Sequence, residues 1–194
     1  LEAVEYARAN NLKFIVIGEG SNIVFGDNGF DGLVIVNKIP GLLVDKQSGI
    51  MRIGAGTHWH TVVEHAVENN LTGIEAMALI PGTAGATPIN NVGAYGQDIS
   101  QTLQSVYAYD TKTNQFVELS NARCGFGYRT SLFKSTEYGR YIIISITLQL
   151  EQLSDMYTPP NYPALQQELA KRELFYPTPS DVMRTVMAIR SIKL

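Results

Sequence analysis

The sequence has little of several features that would assign it to particular classes of protein. It contains one cysteine, Cys124, so no internal disulfide can form, a reducing compartment is compatible, and we expect a small buried side chain. No apolar run approaches the roughly 20 residues that a membrane helix needs, and no signal peptide is recognisable. The net charge of −3 gives no electrostatic footprint for nucleic acid. We therefore expect no membrane partner, no nucleic-acid partner and a cytoplasmic location.

The composition and periodicity instead indicate a compact α+β fold. Hydrophobic residues make up 45% of the 194 residues, enough to bury a sizeable core. Apolar spacing predicts helices over 1–9, 59–69, 164–172 and from 178 onward, and strands over 13–17, 23–25, 33–36, 51–53, 103–109, 115–119 and 140–150. Thr57 is the expected cap of the second helix.

This pattern divides the chain into two parts. We expect a mixed α+β domain over residues 1–150 and the start of a second, substrate-binding region over residues 151–194. The chain begins at Leu1, inside a helical pattern, and ends at Leu194 directly after another. We therefore expect it to be truncated at both ends.

The first glycine-rich segment, Gly18-Glu19-Gly20-Ser21-Asn22, directly follows a predicted strand. Glycines permit positive φ, and successive backbone N–H groups in such a turn form a concavity suited to a diphosphate. The alternative is an ordinary tight turn between strands. A dinucleotide-binding fingerprint of the Rossmann type is disfavoured, because its third glycine would fall at Ile23 and strand rather than helix follows.

A second glycine-rich segment covers residues 80–96 and is interrupted by Pro81 and Pro88. A loop of this length is usually functional or disordered, and its apolar content argues against disorder. Small residues can lie flat against a large planar ligand such as an isoalloxazine ring. The alternative is a buried Ω-type loop. Of the three histidines, His58 and His60 do not share a helix face and no cysteine or paired acid joins them, so we expect no metal site.

Four blocks of sequence carry a resemblance to a known family. They are residues 17–22, residues 78–96, the run Cys124-Gly125-Phe126-Gly127-Tyr128-Arg129-Thr130-Ser131-Leu132-Phe133-Lys134, and residues 189–194. In this order they resemble the UDP-N-acetylenolpyruvoylglucosamine reductases. The resemblance implies an FAD-binding α+β fold of the vanillyl-alcohol-oxidase (PCMH) type.

The same resemblance implies which residues contact the cofactor. The turn Gly18-Glu19-Gly20-Ser21-Asn22 would hold the FAD diphosphate. The flavin and its ribityl chain would be lined by Pro81, Gly82, Ala86, Thr87 and Gly93. Ile143, on the longest predicted strand, would lie near the flavin ring.

The implied reaction has two half-reactions. NADPH first reduces FAD, and the reduced flavin then gives a hydride to UDP-N-acetylglucosamine enolpyruvate, forming UDP-N-acetylmuramate for bacterial peptidoglycan. Arg129 matches the family's catalytic arginine. The role that the resemblance implies for it is to stabilise, with a fixed guanidinium, the charge that builds at the substrate carboxylate. Substrate contacts are implied for Tyr95, Tyr128, Tyr162 and Lys193. Tyr157 is the alternative to Tyr162.

The chain departs from the family in what it does not contain. The family's proton-donating serine and catalytic glutamate lie beyond the residues that match, so we expect these 194 residues not to complete the reaction alone. Two alternatives remain: a fragment that only binds a flavin, a nucleotide or a partner, and a related flavin oxidase. The sequence does not indicate an oligomeric state.

Overall fold

The computed structural model describes residues 1–192 of the chain. Its helices are α1 (Glu2–Ala9), α2 (Trp59–Glu68), α3 (Ile99–Thr102), α4 (Pro163–Lys171) and α5 (Pro179–Ser191). Its strands are β1 (Phe14–Ile17), β2 (Leu33–Val36), β3 (Leu42–Asp45), β4 (Ile50–Gly54), β5 (Leu71–Thr72), β6 (Gly93–Ala94), β7 (Gln97–Asp98), β8 (Leu103–Asp110), β9 (Gln115–Ser120), β10 (Tyr141–Gln149) and β11 (Glu151–Gln152). Short 3-10 helices cover Glu75–Met77, Ala84–Ala86 and Asn121–Cys124. The predicted mixture of helices and strands is confirmed.

A five-stranded antiparallel sheet forms the centre of the fold, in the order β3-β4-β10-β8-β9. β10 pairs on both edges, which suits its β-branched residues. Ile143 and Ile146 of this strand join a buried core with Trp59 of α2. Burying a large apolar side chain contributes roughly 1.5–3 kcal/mol. Cys124 lies in the same core, as predicted, and burial raises the pKa of its thiol to about 11.

The parallel pair β1 and β2 ends where the first glycine turn begins. Asn37, directly after β2, donates from its side-chain amide to the carbonyl oxygen of Ile143 on β10 at 2.7 Å. The chain after Asn37 also runs close to β4, since a Cβ on Gly54 would lie 2.4 Å from the carbonyl oxygen of Pro40. These contacts fix β1 and β2 relative to the sheet, so the turn after Ile17 has a defined position.

The last two helices pack on each other, and α5 also packs against the 3-10 helix Glu75–Met77 and against α2. The helix predicted from residue 178 onward is α5, which begins with a capping box in which Thr178 and Asp181 exchange hydrogen bonds, with Pro179 at the first helical position. Before these helices, β11 pairs with β5, so the chain beyond residue 150 returns to the first part. None of the helices within residues 1–192 has the length and apolar character needed to cross a bilayer.

Two local predictions are wrong. Residues 23–25 do not form a strand: they pair with no neighbouring strand, and Val24 is 97% exposed. Thr57 does not cap α2, because its hydroxyl donates to the carbonyl oxygen of Gly41 at 3.0 Å and His58 is the residue that precedes the helix. β3 was not predicted: its sequence, Leu42-Leu43-Val44-Asp45, does not alternate between apolar and polar residues and ends in an acid, unlike the wholly apolar β2.

Candidate functional site

The first glycine turn leaves a row of backbone N–H groups without partners. Within the described part of the chain, the N–H groups of residues 18–22 donate no hydrogen bond, and the carbonyl oxygen of Gly20 accepts one from Ile23 at 3.2 Å. Gly20 has φ +76°, so the backbone turns through the left-handed region there. Glu19, Ser21 and Asn22 are exposed. Successive free N–H groups in this arrangement fit a phosphate-sized anion.

The second glycine-rich segment lies directly against this turn. A Cβ on Gly18 would lie 2.6 Å from the hydroxyl oxygen of Thr83, and a Cβ on Gly82 would lie 3.2 Å from the hydroxyl oxygen of Ser21. Gly82 has φ +108°, and its carbonyl oxygen accepts a hydrogen bond from the backbone N–H of Trp59 at 2.9 Å. Two segments that are distant in sequence therefore lie against each other, with the hydroxyls of Thr83 and Ser21 at the contact.

The start of α2 contributes an imidazole to the same place. His58 Nδ1 lies 2.5 Å from Glu19 Oε1, which joins the helix start to the glycine turn. His60 and His65 instead face glutamates of their own helix. Within residues 1–192, no three His, Cys, Asp or Glu side chains come together as metal ligands.

The other residues predicted to line the flavin lie along the second segment and on β10. Pro81 is exposed, and Ala86 ends the 3-10 helix Ala84–Ala86. The Thr87 hydroxyl is buried and donates to the carbonyl oxygen of Ala84 at 2.7 Å, so it is already satisfied within the turn. The Ile143 side chain is buried in the core, with its carbonyl oxygen bonded to Asn37. Their roles as cofactor contacts stay predictions.

The loop that carries Arg129 is attached to the second glycine-rich segment by side chains from both. Each of the two loops presents backbone carbonyls or an amide to donors on the other. The bonds are Arg129 Nη2 to Gly93 O at 2.7 Å, Asn91 Nδ2 to Gly127 O at 3.1 Å, Ser131 Oγ to Ile89 O at 2.8 Å, and Lys134 Nζ to Asn90 Oδ1 at 2.6 Å. This set places the arginine on the predicted flavin-lining segment.

The guanidinium of Arg129 has donors to spare. It is exposed, and within residues 1–192 it forms no salt bridge, only the bond to the carbonyl oxygen of Gly93 and a contact 5.9 Å from the ring centre of Tyr128. Tyr128 itself is 93% exposed. Arg129 has φ +53°, an uncommon conformation for a residue with a side chain. A guanidinium in this state can bind a ligand carboxylate through two parallel hydrogen bonds.

The structure separates the two candidate tyrosines of the substrate region. Tyr162 is 42% exposed and packs edge-on against Tyr95, with ring centres 5.5 Å apart. The Tyr157 hydroxyl instead donates to Glu75 Oε1 at 2.9 Å, and burial together with that carboxylate raises the pKa of Tyr157. Tyr162 is thus the more accessible of the two. Lys193 lies outside the described residues.

Sequence reasoning assigned no role to three residues that shape this region. Thr83 packs on the glycine turn, Lys134 connects the Arg129 loop to the second segment, and Glu75 collects hydrogen bonds beneath it. Glu75 was detectable as a lone carboxylate in the apolar run 71–80, because an acid in such a run is buried only with partners. Thr83 and Lys134 carried no comparable signal.

Comparisons with known proteins show what the chain as a whole is similar to. A family model described as an FAD binding domain matches residues 1–120. The chain is 42% identical to a UDP-N-acetylenolpyruvoylglucosamine reductase of Ralstonia nicotianae, covering 100% of this chain and 57% of that protein. A protein of the same name from Streptomyces coelicolor is also 42% identical, over 84% of this chain and 42% of its own length. The chain spans about half the length of the relatives it matches.

Solved structures show the same fold. The UDP-N-acetylenolpyruvylglucosamine reductase of Thermus caldophilus matches with a TM-score of 0.61 and 20% identity, over 97% of this chain and 85% of that one. The 6-hydroxy-D-nicotine oxidase of Arthrobacter nicotinovorans matches with a TM-score of 0.58 and 19% identity, over 78% and 34%. The predicted FAD-binding fold of the vanillyl-alcohol-oxidase type is confirmed.

Proposed function

The chain belongs to the FAD-binding domain family, with the UDP-N-acetylenolpyruvoylglucosamine reductases as its relatives, and from this membership we propose that it forms the flavin-binding part of such a reductase. The proposed reaction is the NADPH-dependent reduction of UDP-N-acetylglucosamine enolpyruvate to UDP-N-acetylmuramate. This reaction serves peptidoglycan synthesis in a bacterial cytoplasm. The proposal covers the activity of the whole enzyme, to which these residues contribute the cofactor site and one cation.

One observation carries the proposal. The turn at residues 18–22, whose N–H groups have no partner within residues 1–192, lies against Gly82 and Thr83, and Arg129 is attached to the far end of the same glycine-rich segment through Gly93. The residues present therefore fit FAD: a concavity for its diphosphate, small residues along its length and a cation beside its expected path.

Each part of the chain has a defined task in this scheme. The turn Gly18-Glu19-Gly20-Ser21-Asn22 holds the diphosphate, the segment from Pro81 to Gly93 lies along the ribityl chain and the ring, and Ile143 supports the ring from the sheet. FAD, when bound, supplies the two-electron chemistry that NADPH starts. A Cβ on Gly18 or Gly82 would intrude on the space where the two segments meet.

Arg129 is the residue that acts on the reacting substrate. Its unpaired guanidinium binds the enolpyruvyl carboxylate and stabilises the negative charge that builds there in the transition state. Tyr95, Tyr128 and Tyr162, together with Lys193, hold the UDP-sugar. The region 151–194 is proposed as the start of the substrate-binding part, and 1–150 as the FAD-binding part.

The test compares the 194-residue chain with the complete natural protein. The complete protein should be purified with a flavin absorbance and should consume NADPH only when UDP-N-acetylglucosamine enolpyruvate is present. The chain alone should not turn over, because the family's serine and glutamate are not among its residues. Oxygen-dependent oxidation of sugars or alcohols would favour a flavin oxidase instead. If the complete protein is colourless and does not bind added FAD, the proposal is contradicted in favour of a module that binds another ligand.

A further inference from the structure

The buried carboxylate of Glu75 accepts hydrogen bonds from three segments of the chain. Glu75 is 1% exposed and begins the 3-10 helix that precedes the second glycine-rich segment. Its Oε2 accepts from the backbone N–H of Gly73 at 2.6 Å, and its Oε1 accepts from Gln97 Nε2 at 3.0 Å and from the Tyr157 hydroxyl at 2.9 Å. Within residues 1–192 no cation pairs with it. Burying a carboxylate is costly unless donors replace its water, so its burial depends on these three groups.

The Gln97 contact fixes one of the segments. Gln97 Oε1 accepts from the backbone N–H of Ala76 at 2.7 Å, so its amide cannot turn over without losing that bond and Nε2 must face Glu75. Gln97 belongs to β7, which pairs with β6 in a short hairpin. Tyr95 lies at the tip of this hairpin, with φ +49°. The carboxylate therefore determines where the Tyr95 ring is presented.

The Tyr157 contact fixes a second segment, residues 153–162, which leads to α4. A cavity of about 750 Å³ lies beside this segment, and Gln101, Gln149, Tyr157 and Pro160 are among the residues that line it. The ends of the segment are held by the Leu153 N–H, which donates to the carbonyl oxygen of Asn70 at 2.8 Å, and by Gln166 Nε2, which donates to the carbonyl oxygen of Pro160 at 2.9 Å. Between them, the Tyr157 hydroxyl reaches the buried Glu75, and the Tyr162 ring meets the Tyr95 ring edge-on.

We propose that the hydrogen bond from Tyr157 to Glu75 is a latch that sets the position of Tyr162 against Tyr95, and that Tyr157 is thereby a positioning residue for the nucleotide part of a UDP-sugar. The inference rests on the proposed function, because it needs Tyr95 and Tyr162 to contact the substrate. The latch controls affinity rather than rate, because the Tyr157 hydroxyl bonds to Glu75 and contacts neither Arg129 nor the glycine turn.

The first arm of the test uses proteolysis of the 194-residue chain, which does not depend on catalysis. Tyr157→Phe keeps the ring and the chymotrypsin site but removes the donor. Tyr138→Phe is the matched control, because Tyr138 is 72% exposed. We expect cleavage within residues 153–162 to be about tenfold faster in Tyr157→Phe and unchanged in the control, since local opening populates the cleavable form. Equal rates in all three proteins would overturn the latch.

The second arm measures ligand affinity in the complete protein by calorimetry with UDP and by steady-state kinetics. Tyr157→Phe should raise the Kd for UDP and the KM for the UDP-sugar about fivefold to tenfold while kcat stays within about twofold, because uniform binding is lost. Glu75→Ala, which removes the acceptor, should raise both constants at least as much, and the double variant should be no weaker than the worse single variant.

The outcomes separate the inference from the proposed function. Wild-type protein that binds FAD and UDP, with variants of unchanged affinity, refutes the latch alone. Wild-type protein that binds FAD but not UDP also refutes it, because the positioned tyrosines then do not serve a nucleotide. Wild-type protein that binds no FAD refutes the proposed function. A loss of kcat with unchanged Kd would show that Tyr157 acts otherwise than proposed.

Discussion

Two arginines in one connection of the chain differ in how much of their guanidinium is used. Arg140 donates from Nε and Nη2 to Asp110 at 2.9 and 2.6 Å and from Nη1 to Glu137 at 3.1 Å. Arg129 donates only to the carbonyl oxygen of Gly93, and no carboxylate within residues 1–192 neutralises it. A guanidinium saturated by two carboxylates can only hold the structure together, whereas one with unused donors remains available to an anionic ligand.

The connection from β9 to β10 explains why both arrangements occur together. At its start, Asn121 donates from its side-chain amide to the carbonyl oxygens of Ser100 and Leu103, and at its end Arg140 is fixed by Asp110. Both ends are anchored to the sheet, so the middle can project Arg129 over the second glycine-rich segment in a strained conformation. The anchored ends of this connection therefore allow Arg129, in its middle, to be exposed.

The largest expected effect comes from Arg129→Met in the complete protein. Loss of a group that stabilises transition-state charge lowers the rate by roughly 10²–10³-fold, so substrate-dependent NADPH oxidation should fall by that factor. The melting temperature should not change, because Arg129 carries little of the fold. Arg123→Met is the matched control at an exposed position of the same connection. Equal losses in both variants would remove the distinction drawn for Arg129.

The opposite pattern is expected for Asp110→Asn. Asp110 is buried and Arg140 would lose its main partner, so the melting temperature should fall by several degrees while activity per folded molecule stays unchanged. Thermal unfolding followed by circular dichroism measures the first quantity and steady-state kinetics the second. A variant that melts like the wild type would show that this ion pair does not stabilise the fold.

The same pair predicts a dependence on pH. The hydrogen bonds from Arg140 hold the pKa of Asp110 well below its ordinary value, so the ionised form is favoured by folding. The resulting stability is complete above the unfolded pKa of about 4 and is lost as the pH falls through the folded pKa. The difference in melting temperature between wild type and Asp110→Asn should therefore be constant from neutral pH down to about 5 and shrink below about 4. A difference that grows in acid would have the wrong sign.

In the first glycine turn of the complete protein, Gly18→Ala should weaken FAD binding. The new Cβ would lie 2.6 Å from the hydroxyl oxygen of buried Thr83, so either the Thr83 side chain must rotate within the core or the two glycine-rich segments must separate. We expect the Kd for FAD to rise by about tenfold, which is about 1.4 kcal/mol. Gly26→Ala is the control, because a Cβ there meets no atom within 4 Å. Fluorescence titration with FAD compares the two, and equal affinities would place the cofactor elsewhere.

The smallest effect is expected for Lys134→Met. Its ammonium joins Asn90 Oδ1 at 2.6 Å to the carbonyl oxygen of Arg129 at 3.3 Å, so its loss should loosen the arginine without disturbing FAD. We expect kcat to fall about fivefold, in proportion to a lost hydrogen bond of about 1 kcal/mol. Lys134→Arg should restore most of the rate. A change in FAD affinity would mean that the lysine supports the cofactor site directly.

What the sequence could predict depended on whether a feature is local. The turn at residues 18–22 and the capping box at Thr178 are written in adjacent residues, so both were recognisable from the chain alone. The role predicted for Arg129 came from the resemblance, whereas its contact with Gly93 is visible only in the folded chain, because no spacing rule brings the two together. The donors around Glu75 come from residues far apart in sequence, and only the folded chain assembles them.

Amide hydrogen exchange with and without FAD tests the central claim most directly. The N–H groups of residues 18–22 have no partner within the described chain, so bound diphosphate should slow their exchange, together with that of the adjoining residues 82 and 83. Residues 110–114, at the end of the sheet held by Arg140, should exchange at unchanged rates. Slowed exchange at both glycine-rich segments is the predicted result. FAD binding that leaves residues 18–22 exchanging freely would contradict the account.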